Sequence, residues 1–331
     1  GSLFVANEPM PLRAGVLAEN VIKWGCPSTV VTRNEPADFA PFKDFFDIIL
    51  VDAPCSGEGM FRKDARAVSM WSPGNVKTCV ARQRTILSDI WGSLRPGGLL
   101  VYSTCTFNSH EDEEMVAWVR DELGAEVLPV AVSPEWGITG NLTGGNFPVY
   151  RFLPGFTRGE GFFLALLRKD GDGEVAQPRP TRSRPTPLPK ACNAACSWLN
   201  TPEKYAFTVE NDTIVAVPRE HQTAIAALQS RLKVLHSGVA VAAVKNNKLL
   251  PSHRLAMSTA LNREAFPAVE LTCEQALAYL HREALSLPSA PMGVILFTYK
   301  NVPLGFAKNV GNRVNNLYPA EWRIRKDPME F

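Results

Sequence analysis

The stretch Val51-Asp-Ala-Pro-Cys-Ser-Gly-Glu-Gly-Met-Phe-Arg-Lys-Asp64 sets the interpretation of the chain around it. The residues that lead into it, Phe45-Phe-Asp-Ile-Ile-Leu-Val-Asp52, are a short apolar run with β-branched side chains, which is typical of a buried parallel strand. In an open α/β sheet, ligands bind at the carboxyl ends of the strands. Asp52 and Cys55, which follow this strand, are therefore expected at the rim where chemistry takes place.

The same layout recurs about fifty residues later. Leu94-Arg-Pro-Gly-Gly98 is predicted to be a turn, and Leu99-Leu-Val-Tyr-Ser103 is predicted to be a strand. Thr104-Cys105-Thr106 follows at its carboxyl end. The two strand-end cysteines are therefore expected to face one cleft.

Composition places the chain among globular, intracellular proteins. Its 331 residues exceed the usual size of one domain, so two domains are expected. With 45% hydrophobic and 21% charged residues it has ample material for a core, and it contains neither a secretory signal nor a membrane-length apolar run. Seven cysteines, with no Cys-x-x-Cys pair, argue against a disulfide framework and a zinc site. We expect a cytoplasmic protein without a metal.

The first part of the chain alternates strand and helix patterns, which indicates an α/β fold with a doubly wound parallel sheet. The predicted strands are 3–8, 29–32, 45–52, 99–103, 126–128 and 161–168, and the predicted helices are 12–24, 64–68, 75–94 and 111–122. Residues 170–190 contain a Pro- and Arg-rich run that is typical of an extended linker. The domains are thus expected at 1–169 and 191–331, the second with an α+β pattern.

The C-terminal region is basic, although the net charge of the whole chain is only +2. Five cations, Lys308, Arg313, Arg323, Arg325 and Lys326, lie near Tyr318 and Trp322. Cations contact phosphates and aromatic side chains stack on unpaired bases, so this cluster is a candidate RNA-binding surface. A solvated basic tail with aromatic residues in the core is the alternative.

The two strand-end cysteines are candidates for covalent catalysis. A thiolate is a strong nucleophile, and its pKa falls near positive charge or a helix N-terminus. A free cysteine is also commonly a small buried hydrophobe, and this is the interpretation we give to the cysteines outside the two strand-end motifs. Those residues are Cys26, Cys79, Cys192, Cys196 and Cys273.

These motifs resemble the Sun/NSUN family of S-adenosylmethionine-dependent RNA 5-methylcytosine methyltransferases. The resemblance rests on Asp52-Ala-Pro-Cys-Ser-Gly57 and Tyr102-Ser-Thr-Cys-Thr106. The extension to Asp64 is similar to the bacterial RsmF branch, which acts on 16S rRNA. Further matches are Trp71-Ser-Pro73, Leu94-Arg-Pro-Gly-Gly98, Gly159-Glu-Gly-Phe-Phe163, Pro303-Leu-Gly-Phe-Ala-Lys308 and Asn316-Leu-Tyr-Pro319. The resemblance implies a Rossmann-like methyltransferase sheet followed by an RNA-binding region with a PUA-like end.

The resemblance also implies roles for the strand-end residues. Cys105 matches the nucleophile that adds to C6 of the target cytosine, which makes C5 accept the methyl group of S-adenosylmethionine. Cys55 matches the second cysteine, which assists loss of the C5 proton and release of the covalent adduct. Asp52 matches the acid between cofactor and base. The implied partner is 16S rRNA or the small ribosomal subunit, bound by a monomer without a membrane.

Cofactor binding is implied for two further acids. Glu8 matches the acid that binds the cofactor ribose, and Glu35, with Asn34 beside it, matches an acid near the adenine. The family's glycine-rich cofactor loop has no counterpart in these residues and is expected upstream of Gly1, so the sheet is expected to be truncated at its N-terminus. We therefore expect this chain alone to bind the cofactor poorly.

Two other classes of protein remain as alternatives. A cysteine hydrolase or redox protein would need a histidine partner for Cys55 or Cys105, and His110 is the one histidine within residues 1–170. A non-catalytic RNA-binding protein with a degenerate or truncated methyltransferase domain is the other alternative. The presence of Asp52 and both cysteines argues against degeneracy.

Overall fold

A computed structural model describes residues 1–171, 193–246 and 248–325. The chain forms two compact units. The N-terminal residues 1–34 belong with the C-terminal part of the chain, and the second unit, called the central unit below, comprises the described residues 35–171. The domains expected from sequence, 1–169 and 191–331, divide the chain differently. Lys326 and all but the first two residues of the expected linker lie outside the described residues.

The N-terminal segment contributes two parallel strands and one helix. These are β1 (Phe4–Asn7), α1 (Pro11–Trp24) and β2 (Thr29–Thr32). Pro11 suits the first turn of α1 because that turn has no intrahelical partner for its N–H groups. Gly25 ends the helix at φ 78°, and a Cβ there would lie 2.0 Å from the carbonyl oxygen of Met257. The predicted helix at 12–24 and strand at 29–32 are confirmed.

The central unit contains five strands and three α-helices. In chain order they are β3 (Phe46–Asp52), α2 (Ala65–Met70), α3 (Pro73–Trp91), β4 (Leu94–Thr104), α4 (Glu113–Leu123), β5 (Ala125–Leu128), β6 (Tyr150–Phe152) and β7 (Phe162–Lys169). The sheet order is β3-β4-β7-β5, with β6 beside β7. Strands β3 and β4 are parallel, but β7 runs antiparallel to β4 and to β5. The sheet is therefore mixed rather than wholly parallel.

The turn predicted at residues 94–98 is wrong, because β4 already begins at Leu94. Leu94 pairs with Phe46 and Leu99 pairs with Ile48, so the residues between them are taken up as an irregularity of the ladder. This keeps Asp52 level with Ser103 at the carboxyl ends of β3 and β4.

Packing makes β4 the centre of the central unit's core and leaves β3 at an edge of its sheet. Leu100, Tyr102 and Phe163 are almost fully buried in one core with side chains from α3 and α4. On β3, by contrast, Ile48 is 60% exposed and Leu50 is 65% exposed. An edge with unpaired backbone groups and apolar side chains can accept another strand.

The C-terminal part of the other unit is an α+β arrangement. In chain order its elements are α5 (Asn193–Cys196), β8 (Tyr205–Glu210), β9 (Thr213–Pro218), α6 (Gln222–Arg231), β10 (Val234–Ser237), β11 (Val239–Lys245), β12 (Lys248–Pro251), α7 (His253–Met257), β13 (Ala268–Glu270), α8 (Cys273–Leu280), β14 (Gly293–Tyr299), β15 (Val302–Asn309) and β16 (Val314–Asn316). Two four-stranded sheets result, β12-β11-β9-β8 and β13-β14-β15-β16. Strand β10 pairs antiparallel with β2, which explains why residues 1–34 belong to this unit.

None of the helices in the described ranges combines the length and the apolar character that a membrane span requires.

Candidate active site

The two strand-end cysteines meet. Because β3 and β4 are adjacent and in parallel register, the loops that follow them leave the sheet side by side. The Sγ atoms of Cys55 and Cys105 are 3.0 Å apart, and the backbone N–H of Cys105 donates to Cys55 Sγ at 3.4 Å. Both side chains are half-buried. The sequence-based expectation that these residues share one place therefore holds in the geometry.

The pKa values of the two thiols are shifted in opposite directions. The hydrogen bond between the sulfurs lowers the pKa of Cys105, although burial and the charge of Asp52 act against it. The same hydrogen bond, together with burial, raises the pKa of Cys55 far above its ordinary value. These shifts favour Cys55 as the donor and Cys105 as the acceptor of the hydrogen bond between the two sulfurs.

Asp52 lies on the same rim as the cysteines. It is the last residue of β3, and its side chain is exposed. The hydroxyl of Ser103, level with it on β4, donates to Asp52 Oδ1 at 3.3 Å. A carboxylate held by one neutral donor at a strand end retains acceptor capacity for a bound molecule.

A buried carboxylate, Glu111, lies beneath the cysteine loops. Its side chain accepts hydrogen bonds from the backbone N–H of Ser56 at 3.0 Å, from Gln83 Nε2 at 2.8 Å and from Asn108 Nδ2 at 2.8 Å. Glu111 and Gln83 are both 0% exposed. Sequence reasoning missed this cluster. Its one signal was the acidic run at 111–114, which begins six residues after the second cysteine and falls at the start of the helix predicted at 111–122.

A second buried cluster joins Arg151 to two acids. Arg151 Nε donates to Glu113 Oε1 at 2.8 Å, and Arg151 Nη1 lies 3.1 Å from Asp112 Oδ2. Burial raises the pKa of Asp112 to about 8, and the hydrogen bond from Arg151 lowers that of Glu113 against the effect of burial. The Arg151 guanidinium thus neutralises the Glu113 carboxylate, while the Asp112 carboxyl is protonated near neutral pH. Thr104 donates to Asp112 Oδ1 at 2.6 Å, which connects this cluster to the Cys105 loop.

Glu58 connects the two loops above the cysteines. It accepts the backbone N–H of Phe107 and the indole N–H of Trp71, each at 2.8 Å. The N–H of Gly59 donates to the carbonyl of Cys105 at 2.8 Å. A Cβ on Gly59 would lie 2.8 Å from that carbonyl oxygen, so this close approach requires glycine.

The cofactor candidates Glu8 and Glu35 are not part of this cluster. Glu8 accepts the backbone N–H of Met10 at 2.9 Å and pairs with Arg13 at 3.1 Å. Each of its oxygens keeps a further lone pair, so the side chain fits a pair of ribose hydroxyls. Glu35 is exposed and caps a short 3₁₀ helix, whereas Asn34 Oδ1 accepts the backbone N–H of Lys233 at 3.0 Å.

The candidate RNA-binding side chains divide into two groups. Lys308, Arg313, Arg323 and Arg325 are exposed. Tyr318 is only 9% exposed and packs at 5.0 Å from the ring of His253, so its expected stacking on bases is wrong. The physical reason is that the ring belongs to the core against β14 and α8. Trp322 also contacts His253, and Lys23 lies 4.6 Å from the centre of its ring.

The histidine that a cysteine hydrolase would need is engaged elsewhere. His110 Nδ1 lies 2.8 Å from Glu114 Oε2 at an exposed position. Among the described residues, no group of His, Cys, Asp and Glu side chains is arranged to hold a metal ion.

Comparison with known proteins identifies the family. The model of the family "16S rRNA methyltransferase RsmB/F" matches residues 2–168, and the model "Methyltransferase RsmF PUA domain" matches residues 266–324. The chain belongs to the RsmB/F family of 16S rRNA methyltransferases. The α/β methyltransferase fold followed by a PUA-like domain, and the resemblance from which it was expected, are thereby confirmed.

Two curated relatives agree with this assignment. The chain is 33% identical to the ribosomal RNA small subunit methyltransferase F of Klebsiella pneumoniae (strain 342), over 96% of this chain and 67% of that protein. It is 32% identical to the protein of the same name from Escherichia coli O81 (strain ED1a), with the same coverage. A solved structure, NSun6 from Pyrococcus horikoshii with SFG, has 27% identity and a TM-score of 0.43, and the match covers 52% of this chain and 42% of that one.

Proposed function

We propose that this family member transfers a methyl group from S-adenosylmethionine to C5 of a cytosine in 16S rRNA through a covalent bond between Cys105 and C6 of the base. The observation that carries the proposal is the 3.0 Å contact between the sulfurs of Cys55 and Cys105. The pKa of Cys105 is lowered and that of Cys55 is raised, which gives one thiolate nucleophile and one proton-bearing partner.

Cys105 performs the first step. Its thiolate forms the Sγ–C6 bond. The electron pair of the C5–C6 double bond is displaced onto C5, which becomes nucleophilic. S-adenosylmethionine, when bound, supplies the methyl group that C5 takes up. The lowered pKa of Cys105 matters because the thiolate, not the thiol, attacks.

Cys55 assists the reverse of the addition. After methyl transfer, C5 carries both the new methyl group and its original proton. Loss of that proton returns the electron pair to the C5–C6 bond and expels the Cys105 thiolate. Cys55, whose Sγ lies 3.0 Å from that of Cys105, is at hand for this release step. Once Cys105 is bonded to C6, the hydrogen bond that raises the pKa of Cys55 is lost, so Cys55 can release its proton to solvent and, as a thiolate, accept the proton that leaves C5.

Binding roles are also proposed for three acids. Asp52, exposed at the end of β3, accepts a hydrogen bond from the exocyclic amine of the cytosine. Glu8 holds the two ribose hydroxyls of the cofactor, and Glu35 holds its adenine end, with Asn34 as the alternative there.

The partner is 16S rRNA, free or in the small ribosomal subunit. Lys308, Arg313, Arg323 and Arg325 are exposed and would contact its phosphates, joined by Lys326. We propose residues 1–169 as the catalytic domain, 170–190 as a linker and 191–331 as the RNA-binding region. The protein is proposed to act as a cytoplasmic monomer.

The test is to trap the covalent adduct. Cys55→Ala is prepared in the protein extended upstream to the length of its curated relatives, so that the cofactor loop expected from the resemblance is supplied. It is incubated with small-subunit rRNA and S-adenosylmethionine and examined for an RNA–protein band on a denaturing gel. Cys79→Ala is the matched control, because Cys79 is also half-buried but lies on α3.

We expect an adduct with Cys55→Ala, none with the double variant Cys55→Ala/Cys105→Ala, and normal turnover with Cys79→Ala. Methyl transfer to C5 is checked by nuclease digestion and mass spectrometry of the nucleosides. If Cys55→Ala folds and binds rRNA but gives no adduct, the proposal fails and the non-catalytic RNA-binding alternative takes its place.

A further inference from the structure

The residues that flank the two cysteines converge on one buried carboxylate. Glu111 is 0% exposed, and the donors to its side chain are a backbone N–H and two amide side chains. A buried carboxylate held only by neutral donors depends on all of them, because each lost hydrogen bond leaves part of its charge without compensation. Glu111 is therefore held in one place by residues that come from three parts of the chain.

Each donor to Glu111 also fixes a cysteine loop. Ser56 directly follows Cys55, and its N–H points at the carboxylate. Gln83, on α3, donates both to Glu111 and to the carbonyl of Pro54 at 3.0 Å, which fixes the residue before Cys55.

The Cys105 side is fixed in the same way. Asn108 Nδ2 donates to Glu111 at 2.8 Å and to the hydroxyl of Thr106 at 3.0 Å. The hydroxyls of Thr106 and Ser56 lie 2.9 Å apart and join the two loops directly. The residue after each cysteine is thus connected to Glu111.

We infer that Glu111 is a positioning residue for the catalytic pair: it holds the Cys55 loop against the Cys105 loop so that the two sulfurs stay in contact. This inference rests on the proposed function for the meaning of that contact, but not for its geometry. Glu111 touches neither sulfur in the contacts described above, so it acts through Ser56, Gln83 and Asn108.

Glu111 has two effects on the pKa of Cys105, and they have opposite signs. The titratable groups that act on Cys105 are Cys55, Asp52 and Glu111. The negative charge of Glu111 by itself raises the pKa of Cys105, whereas the hydrogen bond from Cys55, which Glu111 keeps in place, lowers it. Removing the charge alone would lower that pKa; losing the position of Cys55 would raise it.

The first experiment measures thiol reactivity in this chain and needs no cofactor. Glu111→Gln keeps the shape of the side chain but places an NH₂ group where N–H donors already point. The hydrogen bonds that hold the two cysteine loops together are therefore lost. The rate of alkylation of Cys105 by iodoacetamide is followed against pH by peptide mass spectrometry. We expect the midpoint to move up by about 0.5 to 1 pH unit. The control is Glu122→Gln, an exposed glutamate on α4, which should leave it unmoved.

If the alkylation midpoint of Cys105 moved down or did not move in a folded Glu111→Gln variant, the inference would be overturned. Glu111 would then not be what keeps Cys55 in contact with Cys105. If Glu111→Gln does not fold, Asn108→Ser removes one donor at a half-buried position. It should give a smaller upward shift with a near-normal melting temperature. An unmoved midpoint in Asn108→Ser would overturn the inference equally.

The second experiment uses turnover at the full length of the relatives. Glu111→Gln should lower kcat for methyl transfer about 10- to 100-fold, while KM for rRNA changes less than about threefold, since misplaced reacting groups affect the chemical step. If Cys55→Ala gives no adduct, the proposed function fails whatever Glu111 does. If Cys55→Ala gives the adduct and Glu111→Gln turns over like Glu122→Gln, the positioning role fails alone.

Discussion

The cysteine end of the catalytic sheet and the basic C-terminal surface are built on opposite plans. Around Cys55 and Cys105, the buried Glu111 is hydrogen-bonded to the buried Gln83 and to the half-buried Asn108 at 2.8 to 3.0 Å. At the C-terminal end, Lys308 and Arg313 extend into solvent. The first region holds its side chains through hydrogen bonds to one another, whereas the second presents charge at the surface.

The difference follows from what each region has to do. Covalent chemistry fails when reacting atoms are misplaced, so a buried, hydrogen-bonded cluster suits it. Attraction of a phosphate backbone depends on the number of charges near it and on salt, and exposed cations supply those charges. Single substitutions should therefore have large effects in the first region and small, additive effects in the second.

The largest effect is expected for Cys105→Ala. It removes the thiolate proposed to form the bond to C6, so methyl transfer should fall by more than about 1,000-fold. Binding of rRNA, measured by filter retention, should change less than about threefold, because the thiol contributes little contact area. Residual turnover within tenfold of the parent protein would contradict the covalent mechanism.

Next in size is Arg151→Met. Arg151 is 1% exposed, and its guanidinium contacts Glu113, Asp112 and the carbonyl of Phe107. Its removal leaves buried carboxyls without compensation and should lower the free energy of unfolding by about 3 to 5 kcal/mol. Urea denaturation measures this, with Arg168→Met as the control, because Arg168 pairs with Glu126 at an exposed position. Equal losses for the two variants would show that burial of the Arg151 pair does not matter.

The pH dependence of stability tests the same cluster. The pKa of Asp112 is raised to about 8 in the folded protein, above its value in the unfolded chain. A proton is therefore bound more tightly by the folded state, and this contribution is lost as the pH rises through about 8. Between the ordinary pKa of an aspartate, near 4, and about 8, each pH unit should lower stability by about 1.4 kcal/mol relative to Asp112→Asn, which has no proton to lose, and above about pH 8 the difference should stay constant. Parallel stability curves of the two proteins from about pH 5 to 7.5 would contradict the prediction.

Particular residues indicate how far sequence could reach. Asp52, Cys55 and Cys105 were placed correctly on one rim because an apolar run followed by a polar residue marks a strand end, and adjacent parallel strands end together. The family resemblance rested on the same residues. Local pattern was enough here because each strand lies next to its own loop in the sequence.

The features that the sequence did not predict depend on contacts between residues far apart in the chain. Glu111 meets Gln83 and Ser56 across 28 and 55 positions, and an acidic run gives no sign that one member is buried. Strand β7 packs antiparallel against β4, although its apolar pattern suits either direction. The pairing of β2 with β10 joins residues about 200 positions apart, so no local signal announces it.

A smaller effect is expected on the basic surface. The double variant Lys308→Gln/Arg313→Gln removes two exposed charges and should weaken rRNA binding about 3- to 10-fold at physiological salt. The slope of log K against log salt should fall by about 1 to 2. Lys245→Gln is the control, an exposed cation on β11 in the other four-stranded sheet of that unit. An unchanged slope would remove these two residues from the RNA surface.

The smallest effect on RNA binding is expected for Tyr318→Leu, and it decides whether the aromatic residues belong to the same surface as the cations. The ring of Tyr318 packs on His253 and on Tyr279, so its loss should lower the melting temperature. A residue that is 9% exposed offers no face to a base, so affinity of the folded variant for rRNA should stay within about twofold. A drop as large as that of Lys308→Gln/Arg313→Gln would mean that RNA binding opens this core. The comparison would then change, because the basic surface would also depend on a packed cluster, as the cysteines do.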